Sequence, residues 1–252
     1  MTRVLLFSGG MDSEALRMLW EPEELVYVDA GTRYAAAEIE RLPAAVHIVP
    51  MRGLAQFERP DGIVPARNLF FVLAAAQFGD VVGLGATAGD QVLDKSAEFA
   101  ERAASMLSFL WSPQRWNEHQ GTTYSVELPL KGLSKRAIVE RVAELSPEAV
   151  GALAESFSCY TPTQQNEECG HCPPCGRKWA AFTAAGHESL VVDASAYVEH
   201  SVLPLVQAGI HHRGPEVAEV VEALARHRGI ATDGYSRQEL IDQITSKGSR
   251  SC

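Results

Sequence analysis

The sequence predicts a doubly wound α/β domain, a parallel sheet of about five strands, followed by a cysteine-rich region and a helical tail. Three observations predict it. Short apolar runs rich in β-branched residues alternate with segments whose apolar residues recur at helical spacing, the pattern of parallel strands joined by crossover helices. The first run breaks at Ser8-Gly9-Gly10 and leads directly into a helical segment. Beyond residue 146 the alternation stops, and four of the five cysteines fall within 17 positions.

Taken in order, Val4–Phe7 reads as a short buried strand and Glu14–Trp20 as the first helix. Leu25–Asp29 is a second strand ending in Asp29-Ala30-Gly31, with a helix expected over about residues 33–42 and a third strand at Val46–Val49. The stretch from Pro50 to Ile63, with Gly53, Pro60 and Gly62, is irregular. Pro65-Ala66-Arg67-Asn68 opens a helix reaching Phe78, its proline at a position that a helix start tolerates. Asp80–Gly85 is a fourth strand, followed by the small-residue loop Gly85–Asp90. A helix over about 95–110 comes next, then a loop rich in Trp, Asn and His, then a fifth strand at Tyr124–Leu128. Ser134 is the N-cap of a helix to Leu145. Ligands of such sheets sit beyond the carboxyl ends of the strands, so the loops at 8–13, 29–33 and 85–95 are expected to share one crevice.

The charge balance narrows the partners. With 22 basic and 32 acidic residues the net charge is −10, a poor match to nucleic acid, whose binding rests on neutralised phosphates. No apolar run approaches the ~20 residues of a membrane span, and the N-terminal run stops at Phe7, unlike a signal peptide. A cytoplasmic protein acting on a small molecule is expected.

Ser8-Gly9-Gly10-Met11-Asp12-Ser13 carries the first chemical signal. Between a strand and a helix N-terminus, such a loop aims backbone N–H groups and the positive end of the helix dipole at whatever lies beyond. Two glycines let that ligand approach where a Cβ would exclude it. Ser8 and Ser13 add hydroxyls, and Asp12 is placed to hold a metal ion or a substrate amine. The loop lacks the Gly-x-x-x-x-Gly-Lys of a Walker motif. It resembles the PP-loop of the ATP pyrophosphatases (adenine nucleotide alpha hydrolase-like), which split ATP between its α and β phosphates.

The second signal is Cys159-x9-Cys169-x2-Cys172-x2-Cys175. Clustered thiols two residues apart suit a tetrahedral zinc ion, and four thiolates leave no open position, so the site is expected to be structural. An iron–sulfur cluster also takes four thiolates, and His171 could replace one cysteine. Gly170 and Pro173-Pro174 supply the turns.

Together the two motifs resemble the 7-cyano-7-deazaguanine synthase (QueC) family, over about residues 3–186. Asp29-Ala30-Gly31-Thr32-Arg33-Tyr34…Glu38 resembles its strand-end box, with the usual Tyr-Gly-Gln-Arg-His altered. Val64-Pro65-Ala66-Arg67-Asn68 resembles its Val-Pro-x-Arg-Asn, Gly85–Asp90 its Gly-Val-Asn-Ala-Glu-Asp loop, and Pro129-Leu130 with Ser134-Lys135 its Pro-Leu…Ser-Lys box. One loop departs. Where the family runs Asp-Tyr-…-Pro-Asp-Cys-Arg-x-x-Phe, this chain matches only Asp90, Asp94 and Phe99, with Lys95 new between them.

The resemblance implies ATP-dependent conversion of 7-carboxy-7-deazaguanine and ammonia to 7-cyano-7-deazaguanine, through an adenylated carboxylate and an amide. It implies ATP, Mg²⁺ and Zn²⁺ as cofactors and a homodimer as the assembly. Ser8, Gly9, Gly10, Met11, Asp12, Ser13, Asp29 and Gly85 would then bind the nucleotide. Asp12, Arg67 and Lys135 would be catalytic, the last two as cations for phosphate charge. Asp90, Asp94, Lys95 and Phe99 would meet the substrate, and Cys159, Cys169, Cys172 and Cys175 the zinc. The alternatives are a related ligase that stops at an amide or passes its acid to another amine, on a protein among other acceptors, a tRNA-thiolating enzyme, and a non-catalytic zinc module. The expected division is 1–145 for the nucleotide domain, 146–186 for the metal region and 187–252 for the tail. Within the tail, residues 215–227 read as an amphipathic helix with Val217, Val220, Val221 and Leu224 on one stripe, and Ser236 caps another with Glu239 three residues on. The tail's six basic and nine acidic residues disfavour nucleic acid and suit packing against the core or a second subunit.

Overall fold

The computed structural model describes residues 1–60, 63–113, 121–211 and 213–248. The chain divides into two compact units, Met1–Gly132 and Leu133–Cys252.

The first unit is built on five parallel strands: β1 (Arg3–Leu6), β2 (Glu24–Asp29), β3 (His47–Pro50), β4 (Val81–Gly83) and β5 (Ser125–Glu127). Their order is β3-β2-β1-β4-β5, so the chain winds outward one way from β1 and then crosses to the other side of it. All five expected strands are present, each moved by a residue or two; Phe7 still donates to the Val26 carbonyl at 2.8 Å just beyond β1. Helices are α1 (Met11–Trp20), α2 (Ala35–Ile39), α3 (Arg67–Ala75) and α4 (Ala97–Leu110).

Strand alternation sends Val4, Leu6, Val26, Val28, Val82 and Leu84 to one face, where Val72 and Ala75 of α3 and Ala100, Ala103 and Leu107 of α4 cover them. Gly83, between Val82 and Leu84, faces the opposite way. A Cβ there would lie 2.5 Å from the Trp20 ring, so α1 covers that second face and needs a glycine beneath its tryptophan. Each buried valine or leucine of this set contributes ~1.5–3 kcal/mol to the fold.

Three helix boundaries differ from expectation. The helix expected over 33–42 is only α2, five residues long. The helix expected from Pro65 starts at Arg67, because Ala66 adopts a left-handed conformation at φ 56° and breaks the run. The helix expected from Lys95 starts at Ala97: Lys95 closes a 3₁₀ turn, Leu93–Lys95, and Ser96 caps α4 by accepting the Phe99 N–H at 3.1 Å. The Trp-, Asn- and His-rich loop falls largely on 114–120, outside the described residues.

The second unit holds α5 (Lys135–Ala143), α6 (Pro147–Ala154), α7 (Pro173–Ala184), the short α8 (Ser195–Tyr197), α9 (Leu203–Gln207), α10 (Val217–His227) and α11 (Arg237–Gly248). Its centre is α7, where every residue from Pro174 to Ala184 except Arg177 is buried. Helices α5 and α10 pack against it. On α10 the expected stripe points inward, with Val220, Val221 and Leu224 buried and Val217 partly so. Before α11, Ser236 and Glu239 form a reciprocal capping box: the Ser236 N–H donates to Glu239 Oε2 at 2.7 Å, and the Glu239 N–H to Ser236 Oγ at 3.4 Å. Among the described residues no helix is long and apolar enough to cross a membrane.

Candidate functional site

At the carboxyl end of β1, Gly9 takes φ 72°, a conformation L side chains rarely adopt, and Gly10 is an N-cap without a side-chain hydrogen bond. The loop is tied from within. Ser13 Oγ donates to the Gly10 carbonyl at 2.9 Å and accepts the Ser8 N–H at 3.3 Å, while Ser8 Oγ accepts the Gly10 N–H at 3.4 Å. Met11 is buried to 2% exposure, so only its backbone can meet a ligand. A Cβ on Gly85 would lie 3.4 Å from Asp12 Cβ, which sets the loop after β4 directly beside the first turn of α1. The two loops meet where the strand order reverses, the place at which doubly wound sheets bind ligands.

Asp29, at the end of β2, is occupied by its own surroundings. Its carboxylate accepts the Gly31 N–H at 2.9 Å and Arg52 Nε at 2.6 Å. Nearby, the Tyr27 hydroxyl donates to Glu38 Oε2 at 2.7 Å. Burial pushes the Glu38 carboxyl up to about 7, against the opposing pull of the Tyr27 hydrogen bond and the Arg67 charge. Burial, with the Glu38 charge next, raises the Tyr27 phenol as well. Arg67 donates through Nη1 to the Tyr34 hydroxyl at 3.2 Å and lies over the Phe71 ring, 5.5 Å from its centroid. The left-handed Ala66 that introduces it costs ~1 kcal/mol, a strain held by the surrounding structure.

The altered loop is cross-braced. Asp90 Oδ2 accepts the Thr87 N–H at 2.9 Å and Lys95 Nζ at 3.2 Å, while Lys131 Nζ reaches the Asp90 carbonyl at 2.8 Å. Lys95, the new charge, is therefore paired with Asp90. Asp94 Oδ2 accepts the Asn68 N–H at 3.4 Å, and its carbonyl accepts Asn68 Nδ2 at 3.2 Å, which links this loop to the start of α3. Phe99 packs into the core beside Ala100 and Ala103. Lys135 belongs to the second unit, buried at the first position of α5.

In the second unit the sulfurs of Cys159, Cys169, Cys172 and Cys175 all lie within 4.8 Å of one another. Individual pairs stand at 3.4 Å (Cys172–Cys175), 3.9 Å (Cys159–Cys172) and 4.0 Å (Cys169–Cys175). A tetrahedral ion with metal–sulfur bonds of ~2.3 Å needs sulfurs ~3.8 Å apart, so the donor set fits zinc. Backbone N–H groups of Cys169 and His171 point at sulfurs of Cys159 and Cys169, both at 3.4 Å, a geometry suited to thiolates. The His171 ring lies 2.6 Å from the Cys169 carbonyl and is exposed, outside the four-sulfur set. Gly170 turns the loop at φ 70°, where a Cβ would lie 2.6 Å from the Asp193 carbonyl oxygen. Behind the thiols, buried Lys178 pairs with Glu168 at 3.0 Å and donates to the Ser156 carbonyl, while Glu168 also accepts the Ser158 N–H at 2.6 Å. That pair staples the two halves of the cysteine loop.

Sequence reasoning did not find the roles of Tyr27, Tyr34, Glu38, Lys131, Glu168 and Lys178. Tyr34 and Glu38 stand inside a motif that it quoted, but their partners come from other elements.

A model of the family described as queuosine biosynthesis protein QueC matches residues 41–186, which is 146 of the 252 residues. That segment begins after the Ser8–Ser13 loop and ends before the tail. Among similar proteins, 7-cyano-7-deazaguanine synthase 1 of Sphingopyxis alaskensis is 28% identical over 225 residues, covering 73% of this chain and 95% of its own. The 7-cyano-7-deazaguanine synthase of Novosphingobium aromaticivorans is 28% identical over 73% of this chain and 90% of its own. That of Persephonella marina is 27% identical over 73% and 93%.

Proposed function

This chain belongs to the QueC family of queuosine biosynthesis proteins, and on that premise we propose that it is an ATP-dependent enzyme making 7-cyano-7-deazaguanine from 7-carboxy-7-deazaguanine and ammonia. A carboxylate is a poor electrophile. Its oxygen attacks the α-phosphorus of ATP and expels pyrophosphate, which leaves a mixed anhydride with AMP as leaving group. Ammonia adds to the acyl carbon, AMP departs, and the nitrogen loses a proton to give the amide. The amide oxygen then attacks the α-phosphorus of a second ATP and expels a second pyrophosphate, and departure of AMP with loss of the two nitrogen protons forms the nitrile.

The observation that carries this reading is the closed Ser8–Ser13 loop, with Gly9 left-handed and Gly85 pressed against Asp12 at the strand-order reversal. Its amides and hydroxyls suit the pyrophosphate leaving group, and the Asp12 carboxylate suits Mg²⁺, which when bound offsets phosphate charge. Arg67, held by Tyr34 and Phe71, and Lys135 serve as cations for the same charge, and Asp29 shapes the nucleotide edge through Gly31. Asp90, Asp94, Lys95 and Phe99 frame the substrate side. In this division 1–145 carries the nucleotide chemistry, 146–186 a zinc on Cys159, Cys169, Cys172 and Cys175 that supports the fold, and 187–252 the extension. A cytoplasmic homodimer is the proposed setting.

The Asp90–Lys95 pair favours a second reading. That pair neutralises the acid offered to the deazaguanine, so the enzyme would activate a carboxylate and stop at the amide, or hand it to another amine, a protein amine among the choices. Release of AMP and pyrophosphate, followed with and without 7-carboxy-7-deazaguanine, tests the first reading. Acid-dependent AMP supports it, and acid-independent ATP cleavage to ADP opposes it.

A further inference from the structure

The family match ends at Gly186, and the relatives quoted above align with 73% of this chain. The extension makes buried polar contacts to α5 of the second unit. Along α10 and the turn before it, Glu216, Glu219 and Glu222 recur every three residues, and the first two are buried at 3% and 4% exposure. Buried carboxylates are costly unless satisfied. Glu216 is satisfied within the extension by Arg213, at 2.7 and 2.8 Å. Glu219 and Glu222 are satisfied by α5: Glu219 Oε1 accepts the Arg136 N–H at 2.9 Å, and Glu222 pairs with the Arg136 guanidinium.

The location of that contact matters. The first N–H groups of a helix have no partner within it, and a carboxylate there also meets the positive end of the dipole. Ser134 Oγ takes the Ala137 N–H at 3.3 Å, and Glu219 takes that of Arg136. Lys135 stands between Ser134 and Arg136, 7% exposed. Burial raises the Glu219 carboxyl above its ordinary range, opposed by its hydrogen bonds at Ser134 and Arg136 and by the Lys135 charge. Two anchors, one local and one 83 residues away, thus bracket the lysine.

We infer that Glu219 of the extension is a positioning residue for Lys135, fixing the first turn of α5 so that the lysine presents one orientation. This rests on the phosphate-binding role proposed for Lys135. A misdirected catalytic group loses rate before it loses affinity, and a displacement of ~1 Å can cost ~100-fold.

The test compares Glu219→Ala, Glu219→Gln, Glu219→Asp and Lys135→Ala in the full-length zinc-loaded protein, reading kcat and KM for ATP from pyrophosphate release. Glu219→Ala should lower kcat by about tenfold or more with KM for ATP little changed. Glu219→Gln keeps an acceptor for the Arg136 N–H and should restore most of the rate, whereas Glu219→Asp is too short to reach and should not. Should Glu219→Ala fail to fold, the order Gln above Asp carries the same test. Unchanged kcat in Glu219→Ala, or Gln no better than Asp, would overturn the inference. If Lys135→Ala itself leaves turnover intact, the failure lies with the lysine's proposed role; if Lys135→Ala is slow and Glu219→Ala is not, it lies with the positioning.

Discussion

Replacing Glu38 with Gln should change how the stability of the first unit depends on pH. The folded Glu38 carboxyl is pushed up to about 7 by burial, against 4.5 ordinarily. Between those values the folded state holds a proton that the unfolded chain releases. The stability from this site is therefore fully present below about pH 4.5 and is lost as pH rises towards 7. A difference of ~2.5 pH units corresponds to ~3 kcal/mol. Glutamine has the same shape, can still accept the Tyr27 hydroxyl, and does not titrate. Its amide adds a constant offset where a donor lacks a partner, so the slope is the quantity to compare. Urea unfolding at pH 5, 6, 7 and 8, followed by the fluorescence of buried Trp20 in the same unit, gives both slopes. The difference between variant and wild type should move in the variant's favour by ~2.5 kcal/mol from pH 5 to pH 8, part of the full change having already occurred below pH 5. Parallel curves over that range would refute the burial argument.

Other perturbations follow from the same geometry. Purified protein should carry one zinc per chain, and Cys172→Ser should misfold rather than lose chemistry selectively, as circular dichroism with metal analysis would show. Asp12→Ala and Ser8→Ala should abolish AMP formation while leaving the melting temperature within a few degrees; normal AMP release would refute the phosphate-loop reading. Glu168→Ala strands the buried Lys178 ammonium and should cost ~3–5 kcal/mol, whereas the double change Glu168→Leu with Lys178→Met should recover much of it in denaturant titrations. Truncation before Gly209 removes the α10 face of Val220, Val221 and Leu224, ~5 kcal/mol or more of burial, and should leave unstable protein; an unchanged melting temperature would make the extension a detached arm.

The sheet was legible because five short apolar runs, such as Val4–Phe7 and Leu25–Asp29, can only be satisfied together beneath helices on both faces. The turn at Ser8–Ser13 was legible because Gly9 has a conformational reason to be glycine, and the cysteine cluster because four thiols repeat at ligand spacing. What escaped depends on distant partners. That Ala66 turns left-handed and delays α3 follows from the loop it closes and leaves no local mark. The Asp90–Lys95 pair sits five residues apart in a loop whose path periodicity does not describe. The Tyr27–Glu38 contact needs α2 laid against β2. Glu219 and Arg136, 83 positions apart, each read as an ordinary surface charge until α10 is packed on α7.

The proposed reaction joins nitrogen to a carboxylate activated by ATP. Its most direct test is incubation of the purified protein with ATP, Mg²⁺, ammonia and 7-carboxy-7-deazaguanine, with products identified by mass spectrometry. AMP, pyrophosphate and the nitrile should appear, with the amide as a passing intermediate. Unconsumed acid and no AMP in the presence of zinc-loaded, folded protein would contradict it.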